Sequence, residues 1–187
     1  MPRALERPVD WQVIADAVAH YTARGYTPIE TPWVVPIPYT RATMPSHAVP
    51  LTTPEGDLVG SGEQGLLFMA ATGQLPPGRY QTTTPCFRSD VPDILHGRHF
   101  VKVELMDLGP NRGVLERDVI LGDAMAFMSA RLPIEVLPIW DEPGQIDIVA
   151  EKNAIELGSY GFRTACGVSW AYGTGVTEPR FSTVLSL

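Results

Sequence analysis

The segment Thr84-Pro85-Cys86-Phe87-Arg88-Ser89-Asp90 is followed, after Val91-Pro92-Asp93, by His96-Gly97-Arg98-His99-Phe100-Val101-Lys102-Val103-Glu104-Leu105. An apolar strand ending in Phe-Arg-x-Asp, a break of turn formers and a second strand re-entering with an aromatic and an acid describe an antiparallel hairpin. Alternation predicts its arms over Tyr80–Arg88 and Phe100–Leu108. Arg88 offers a planar fork of donors that matches a phosphate or carboxylate, and Arg98 adds a second positive charge across the loop. Phe100 supplies a face on which a purine stacks, and Asp90 an acceptor for an exocyclic amine. Taken alone, the same residues also read as a surface ion pair between Arg88 and Asp90 with Phe100 in the core.

The remaining chain builds around that hairpin. Asp10 is placed to cap a helix over Trp11–Arg24, with Trp11, Ile14, Ala15, Val18 and Tyr21 on one face and Gly25 ending it. Tyr26–Pro36 mixes aromatic and β-branched residues with prolines that a central strand does not accept, which predicts an extended edge strand. Pro38–Gly60, rich in Pro, Thr and Ser, is expected to be irregular, and Glu63–Thr72 to be a helix ended by Gly73. A second long helix is predicted over Leu115–Arg131, with Val119, Ala126 and Met128 among its apolar positions. Short strands follow over Ile134–Trp140, Ile146–Ala150, Ala154–Leu157 and Val168–Tyr172, and a closing helix over Pro179–Leu187. Strands and helices segregated in this order point to an α+β fold on an antiparallel β-sheet flanked by helices.

At 187 residues the chain reads as one domain, residues 1–187. Fourteen basic against twenty-one acidic residues give a net charge of −7, which argues against a broad electrostatic footprint for nucleic acid. No apolar run approaches the ~20 residues that span a bilayer, and the first residues lack a signal-peptide core. Cys86 and Cys166 have no CxxC spacing, so a cytoplasmic protein with reduced thiols and no membrane association is expected.

Two further groups carry chemistry. Glu156, followed three residues later by Ser159, offers hard oxygen ligands suited to magnesium, and also reads as a solvent-facing acid on an edge strand. In Gly173-Thr174-Gly175-Val176-Thr177-Glu178-Pro179-Arg180 the glycines permit close backbone approach, Pro179 suits a first helical turn, and Arg180 projects near that helix's start. This predicts a phosphate cradle distinct from the GxxxxGK[ST] loop.

Arg24-Gly25-Tyr26 through Pro32, then Phe87-Arg88-Ser89-Asp90 with Phe100 and Glu104, then Gly173-x-Gly175 with Arg180, resemble in order motifs 1, 2 and 3 of the class II aminoacyl-tRNA synthetases. The likeness is nearest to the seryl-type catalytic domain and the related amino acid:carrier protein ligases, and it runs from about Trp11 to the C-terminus. The resemblance implies ATP-dependent activation of an amino acid as an aminoacyl-adenylate. Arg88 would hold the ATP α-phosphate and stabilise charge during attack, Asp90 would meet the adenine amine, and Phe100 and Arg180 would sandwich adenine, with Arg180 reaching the γ-phosphate. Glu156 and Ser159 match the family's magnesium-binding acid and serine. Ser61-Gly62-Glu63 resembles the Thr-x-Glu segment that receives the substrate α-ammonium, and Glu104 falls where seryl-type enzymes read the substrate side chain. That pairing of acids suggests a small polar or amine-bearing substrate.

Departures from the pattern shape the rest. His96 stands where the second motif 2 arginine usually lies, as in phenylalanyl-, lysyl- and pyrrolysyl-type members, and Arg98 is expected to compensate. No counterpart of the family's tRNA-binding arm or anticodon-binding domain is expected, so the expected acceptor is a carrier protein, a small amine or a nucleic acid other than full tRNA. A zinc site is not expected, since Cys86 lies beside Arg88 and leaves Glu104 and Cys166 as the remaining ligands. Motif 1 implies a homodimer through the Trp11–Pro36 segment. The alternative reading is a catalytically silent paralogue serving as a binding or regulatory subunit.

Overall fold

The protein is described by a computed structural model covering residues 8–45, 48–89, 98–142, 144–152 and 154–185. In chain order the elements are α1 (Trp11–Thr22), β1 (Thr27–Pro28), β2 (Val34–Val35), α2 (Ile37–Arg41), β3 (Thr52–Thr53), β4 (Gly56–Leu58), α3 (Gly62–Ala71), β5 (Gly78–Phe87), β6 (His99–Leu108), α4 (Val114–Ser129), β7 (Val136–Glu142), β8 (Gln145–Ala150), β9 (Ile155–Ala165), β10 (Val168–Glu178) and α5 (Arg180–Leu185). A seven-stranded sheet runs β1-β5-β6-β10-β9-β8-β7. Its pairings are antiparallel except for the parallel contact of β1 with β5, so the predicted α+β class holds with a mixed edge.

Each face of the sheet has its own covering. Val103, Leu105, Tyr160, Ala171 and Val176 point to α1 and α4, which deliver Ile14, Ala17, Tyr21, Ile120, Ala124, Phe127 and Met128. The other face meets α3, where Leu66 and Leu67 pack on Tyr80, Met106, Leu108, Trp170 and Tyr172. Because α3 spans only ten residues, it covers one end of this face, and the other end carries polar side chains.

Asp10 caps α1 as predicted, accepting from Gln12 N at 2.9 Å and Val13 N at 3.2 Å. The buried stripe differs from expectation: Ile14, Ala17 and Tyr21 face the sheet, while Trp11 is 63 % exposed and Ala15 is exposed. In α4 the inward residues are Arg117, Ile120, Ala124, Phe127 and Met128, whereas Val119 and Ala126 are exposed. Both helices present an i, i+3, i+7 stripe whose phase is set by where the sheet lies, not by the largest side chain.

The Tyr26–Pro36 segment divides between two sheets, β1 joining the large one and β2 pairing with β4. Within Pro38–Gly60, expected to be irregular, the described residues carry most of α2 and the strands β3 and β4. The small three-stranded sheet, β2-β4-β3, is pinned by buried Asp57, which accepts from Thr40 Oγ1 at 2.6 Å and Thr52 Oγ1 at 2.8 Å. β9 and β10 are far longer than the short predicted strands, because their glycines lie inside the ladder opposite aromatic side chains instead of ending it. No helix among the described residues is long and apolar enough to cross a membrane.

Candidate functional site

Strand registers set the polar face. Thr82 lies opposite Glu104, Thr84 opposite Lys102 and Cys86 opposite Phe100 in the predicted hairpin. Thr174 pairs with Glu104 from the other side, and Trp170 pairs with Arg163. The period of two therefore places Phe100, Lys102, Glu104, Trp170, Tyr172, Thr174, Ser159 and Arg163 on one surface.

Two bulges adjust this surface. One lies between Thr174 and Val176, so that Thr174 and Thr177, three residues apart, both face the polar side. The other, opposite Ile148 and Val149, does the same for Glu156 and Ser159 on β9. Ser159 Oγ then donates to Glu156 Oε1 at 3.3 Å. Arg180 Nη1 lies 3.6 Å from the same oxygen and donates to the Glu156 carbonyl at 3.3 Å. Glu156, Ser159 and Arg180 thus form one cluster, with the Glu156 side chain half exposed.

At the start of β6, Arg88 Cζ sits 5.1 Å above the centroid of the Phe100 ring, and Arg88 Nε donates to the Gly60 carbonyl at 3.3 Å. Arg88 N bonds the Arg98 carbonyl at 2.9 Å, which closes the arms of the hairpin, and the Arg98 side chain is exposed. Asp90 and His96 lie outside the described residues. Pairing of Glu178 with Val101 brings the β10 end, and with it Arg180, beside the β6 end that carries Phe100. A cavity of about 230 Å³ opens next to Arg88, bounded by Thr43, Met44, Val49, Ser61 and Gln64.

The floor holds two buried acids. Glu63 accepts from Arg163 Nη1 at 2.6 Å and from Trp170 Nε1 at 2.7 Å, so each of its oxygens has a partner. Glu104, 2 % exposed, has Lys102 Nζ at 3.0 Å from both oxygens, though Oε2 lacks an aligned hydrogen bond among the described residues. Burial raises the Glu104 carboxyl above its usual range, with Lys102 opposing and the Glu63 charge adding to the rise. Gly62 lets α3 descend onto these acids: a Cβ there would fall 2.8 Å from Thr82 Cγ2 and Thr84 Oγ1. Ser61 caps α3 through Glu63 N at 3.4 Å and also holds Glu104. Burial pushes the Cys86 thiol up to about 11, so it stays protonated at neutral pH, while Cys166 is exposed in the turn after β9.

Of the residues expected from sequence, Ser61, Glu63, Arg88, Phe100, Glu104, Glu156, Ser159 and Arg180 share this face and its rim. The phosphate-cradle reading of Gly173 and Gly175 is corrected. Gly173 lies under Ile120 and Tyr160, and Gly175 against Tyr21 and Val103, so both serve close packing in the core rather than an open loop. Arg163 and Lys102 were missed as site residues. Their signal was the alternation Lys102-x-Glu104 and the position of Arg163 two residues beyond Gly161, which only the β9–β10 register relates to Glu63.

Among the described residues no group of three or more His, Cys, Asp or Glu is arranged to hold a metal ion. The Glu156 carboxylate and Ser159 hydroxyl offer hard oxygens of the kind magnesium takes, and phosphate oxygens complete such a shell.

No protein-family model and no curated protein match the sequence. Solved structures do match in fold. Seryl-tRNA synthetase from Pyrococcus horikoshii complexed with ATP superposes with a TM-score of 0.78 at 19% identity, covering 94% of this chain and 49% of that one. Cytoplasmic serine-tRNA ligase from Naegleria fowleri in complex with AMP gives 0.71 at 18%, covering 92% and 52%. The pyrrolysyl-tRNA synthetase PylSc of Desulfitobacterium hafniense gives 0.69 at 16%, covering 98% and 71%. The chain spans about half the length of the two seryl enzymes. The fold is that of a class II synthetase-like core.

Proposed function

We propose that this class II synthetase-like chain activates an amino acid with ATP, forming an aminoacyl-adenylate and releasing pyrophosphate. The observation that carries the reading is the convergence, on one sheet face, of the Arg88–Phe100 stack, the Glu156–Ser159–Arg180 cluster and the buried Glu63 and Glu104. Anion-binding groups lie at the rim and acids at the floor, which suits a nucleotide laid beside an amino acid.

In this reading Phe100 and Arg180 take the adenine, while Arg88 swings from the ring onto the α-phosphate and Asp90 meets the base amine. Arg98 supports the triphosphate. A substrate carboxylate oxygen attacks the α-phosphorus; the new O–P bond forms as the bond to the bridging oxygen of the β-phosphate breaks, and pyrophosphate leaves. Arg88 donates to the phosphoryl oxygens as charge builds there, so the chemistry depends on position and preorganised charge. Magnesium held by Glu156 and Ser159 would neutralise polyphosphate charge. Glu63 and Ser61 hold the amino-acid end, and Glu104 faces the substrate side chain. Transfer to a carrier protein, a small amine or a nucleic acid completes the sequence. The exposed Trp33, beside the β1 edge, and the exposed Trp11, at the start of α1, fit a homodimer formed through the motif 1 region.

Amino-acid-dependent exchange of labelled pyrophosphate into ATP tests the proposal. Exchange is expected with at least one amino acid, falling about 10²–10³-fold in Arg88→Ala. Folded protein that binds neither ATP nor any amino acid would instead favour the silent, regulatory reading.

A further inference from the structure

Both floor acids arrive with a built-in cation. Glu63 is bonded to Arg163 at 2.6 Å and Glu104 to Lys102 at 3.0 Å, two acids against two cations, so the floor carries no surplus negative charge. An amine-bearing side chain would find both of these acids already paired with a cation. The substrate's α-ammonium already adds one positive charge, and desolvated sites penalise each unmatched charge heavily.

Arg163 is the group with unused capacity. Its guanidinium lies 4.1 Å over the Tyr172 ring, a stacked pose that fixes its plane, and Glu63 is its only hydrogen-bond acceptor among the described residues. Four of the five N–H donors of an arginine therefore remain, on a side chain 30 % exposed at the open face. Glu104 Oε2 is buried 3.0 Å from Lys102 Nζ without an aligned hydrogen bond, which leaves it capacity to accept from an ammonium.

We infer that the amino acid taken by this pocket has a side chain ending in a carboxylate, read by Arg163. The inference rests on the activation reading for the place of the amino acid, and it makes Arg163 the specificity-determining residue. This moves Glu104 from the side chain to the amino-acid end: the α-ammonium sits on Glu63 and Glu104, the carboxylate side chain meets the remaining fork of Arg163, and these charges balance. Arginine bridges two carboxylates in this way because its fork presents donors on two edges.

Calorimetric titration of the folded protein with aspartate, glutamate, serine and lysine tests it without requiring turnover. Aspartate or glutamate is expected to bind at least about tenfold tighter than serine or lysine, the scale of one charge-assisted hydrogen-bond pair. Arg163→Gln is expected to erase that preference while leaving ATP affinity unchanged, and Arg163→Lys, which keeps the charge and loses the fork, to retain part of it. Serine or lysine binding as tightly as the acids, or a preference that survives in Arg163→Gln, overturns the inference. If serine or lysine then drives pyrophosphate exchange and the acids do not, activation stands and the inference alone falls. If no amino acid binds, both fall.

Discussion

Single side chains on the polar face act through their neighbours' charge. Glu104 is the clearest case, since burial outweighs Lys102 and raises its carboxyl. A carboxyl that holds its proton more tightly when folded favours the fold below its unfolded value, 4.5, and loses that contribution as pH rises through the raised folded value. The stability of the wild type relative to Glu104→Gln is therefore expected to fall with rising pH from about that point. Its slope is at most about 1.4 kcal/mol per pH unit, measured by denaturant unfolding at a series of pH values. A difference that rises with pH, or stays flat, would show that Lys102 controls the group. The residues Arg88, Phe100, Glu104, Glu156, Ser159 and Arg180 were named from the sequence as candidates because their types and spacing repeat a known order, and the structure brings them to one face and its rim. Arg163 was not, because its meaning lies in a contact with Glu63 across one hundred residues.

Elements are held in place by local devices that sequence reveals and by close approaches that it does not. The Asp10 cap accepts two backbone donors at the start of α1, and Asp10 N itself donates to buried Glu178 at 3.1 Å, which also accepts from Ser182 N at 3.0 Å. Asp10→Ala is expected to cost about 1 kcal/mol in thermal or denaturant unfolding, with the polar face unaffected. Gly173 stands where Ile120 and Tyr160 meet the sheet. Gly173→Ala forces a methyl into that contact, and a loss of about 1–3 kcal/mol is expected, read by the same unfolding assay. A neutral result would mean that α4 shifts freely over β10. The helices α1 and α4 were foreseen, with their buried stripes misplaced, because a periodic sequence permits neighbouring phases and the sheet selects one.

On the scale of the whole molecule, the mixed sheet separates an apolar side, sealed by α1 and α4, from a polar side that α3 covers only in part. That asymmetry makes the site: the same strands that bury Val103 and Leu105 present Lys102 and Glu104 on the opposite surface. The edge at β1 is short, and Trp33 beside it is 51 % exposed. Sedimentation velocity at micromolar concentration is expected to give a dimer, weakened by Trp33→Ala. A monomer throughout would remove the motif 1 interface from the proposal.

By itself, the sequence determined the α+β class, the hairpin arms, the capped first helix and the order of chemical groups from Ser61 to Arg180, because alternation, caps and residue spacing are local properties. Only the tertiary structure decided what those groups face. It turned Gly173 and Gly175 into core contacts, tied Thr40 and Thr52 to Asp57, and used two bulges to bring Glu156 to Ser159 and Thr174 to the face of Thr177. It also gave Glu63 and Glu104 each a cation, the pairing from which the substrate inference follows. Register and charge compensation join residues distant along the chain, and no local pattern encodes which of them will meet.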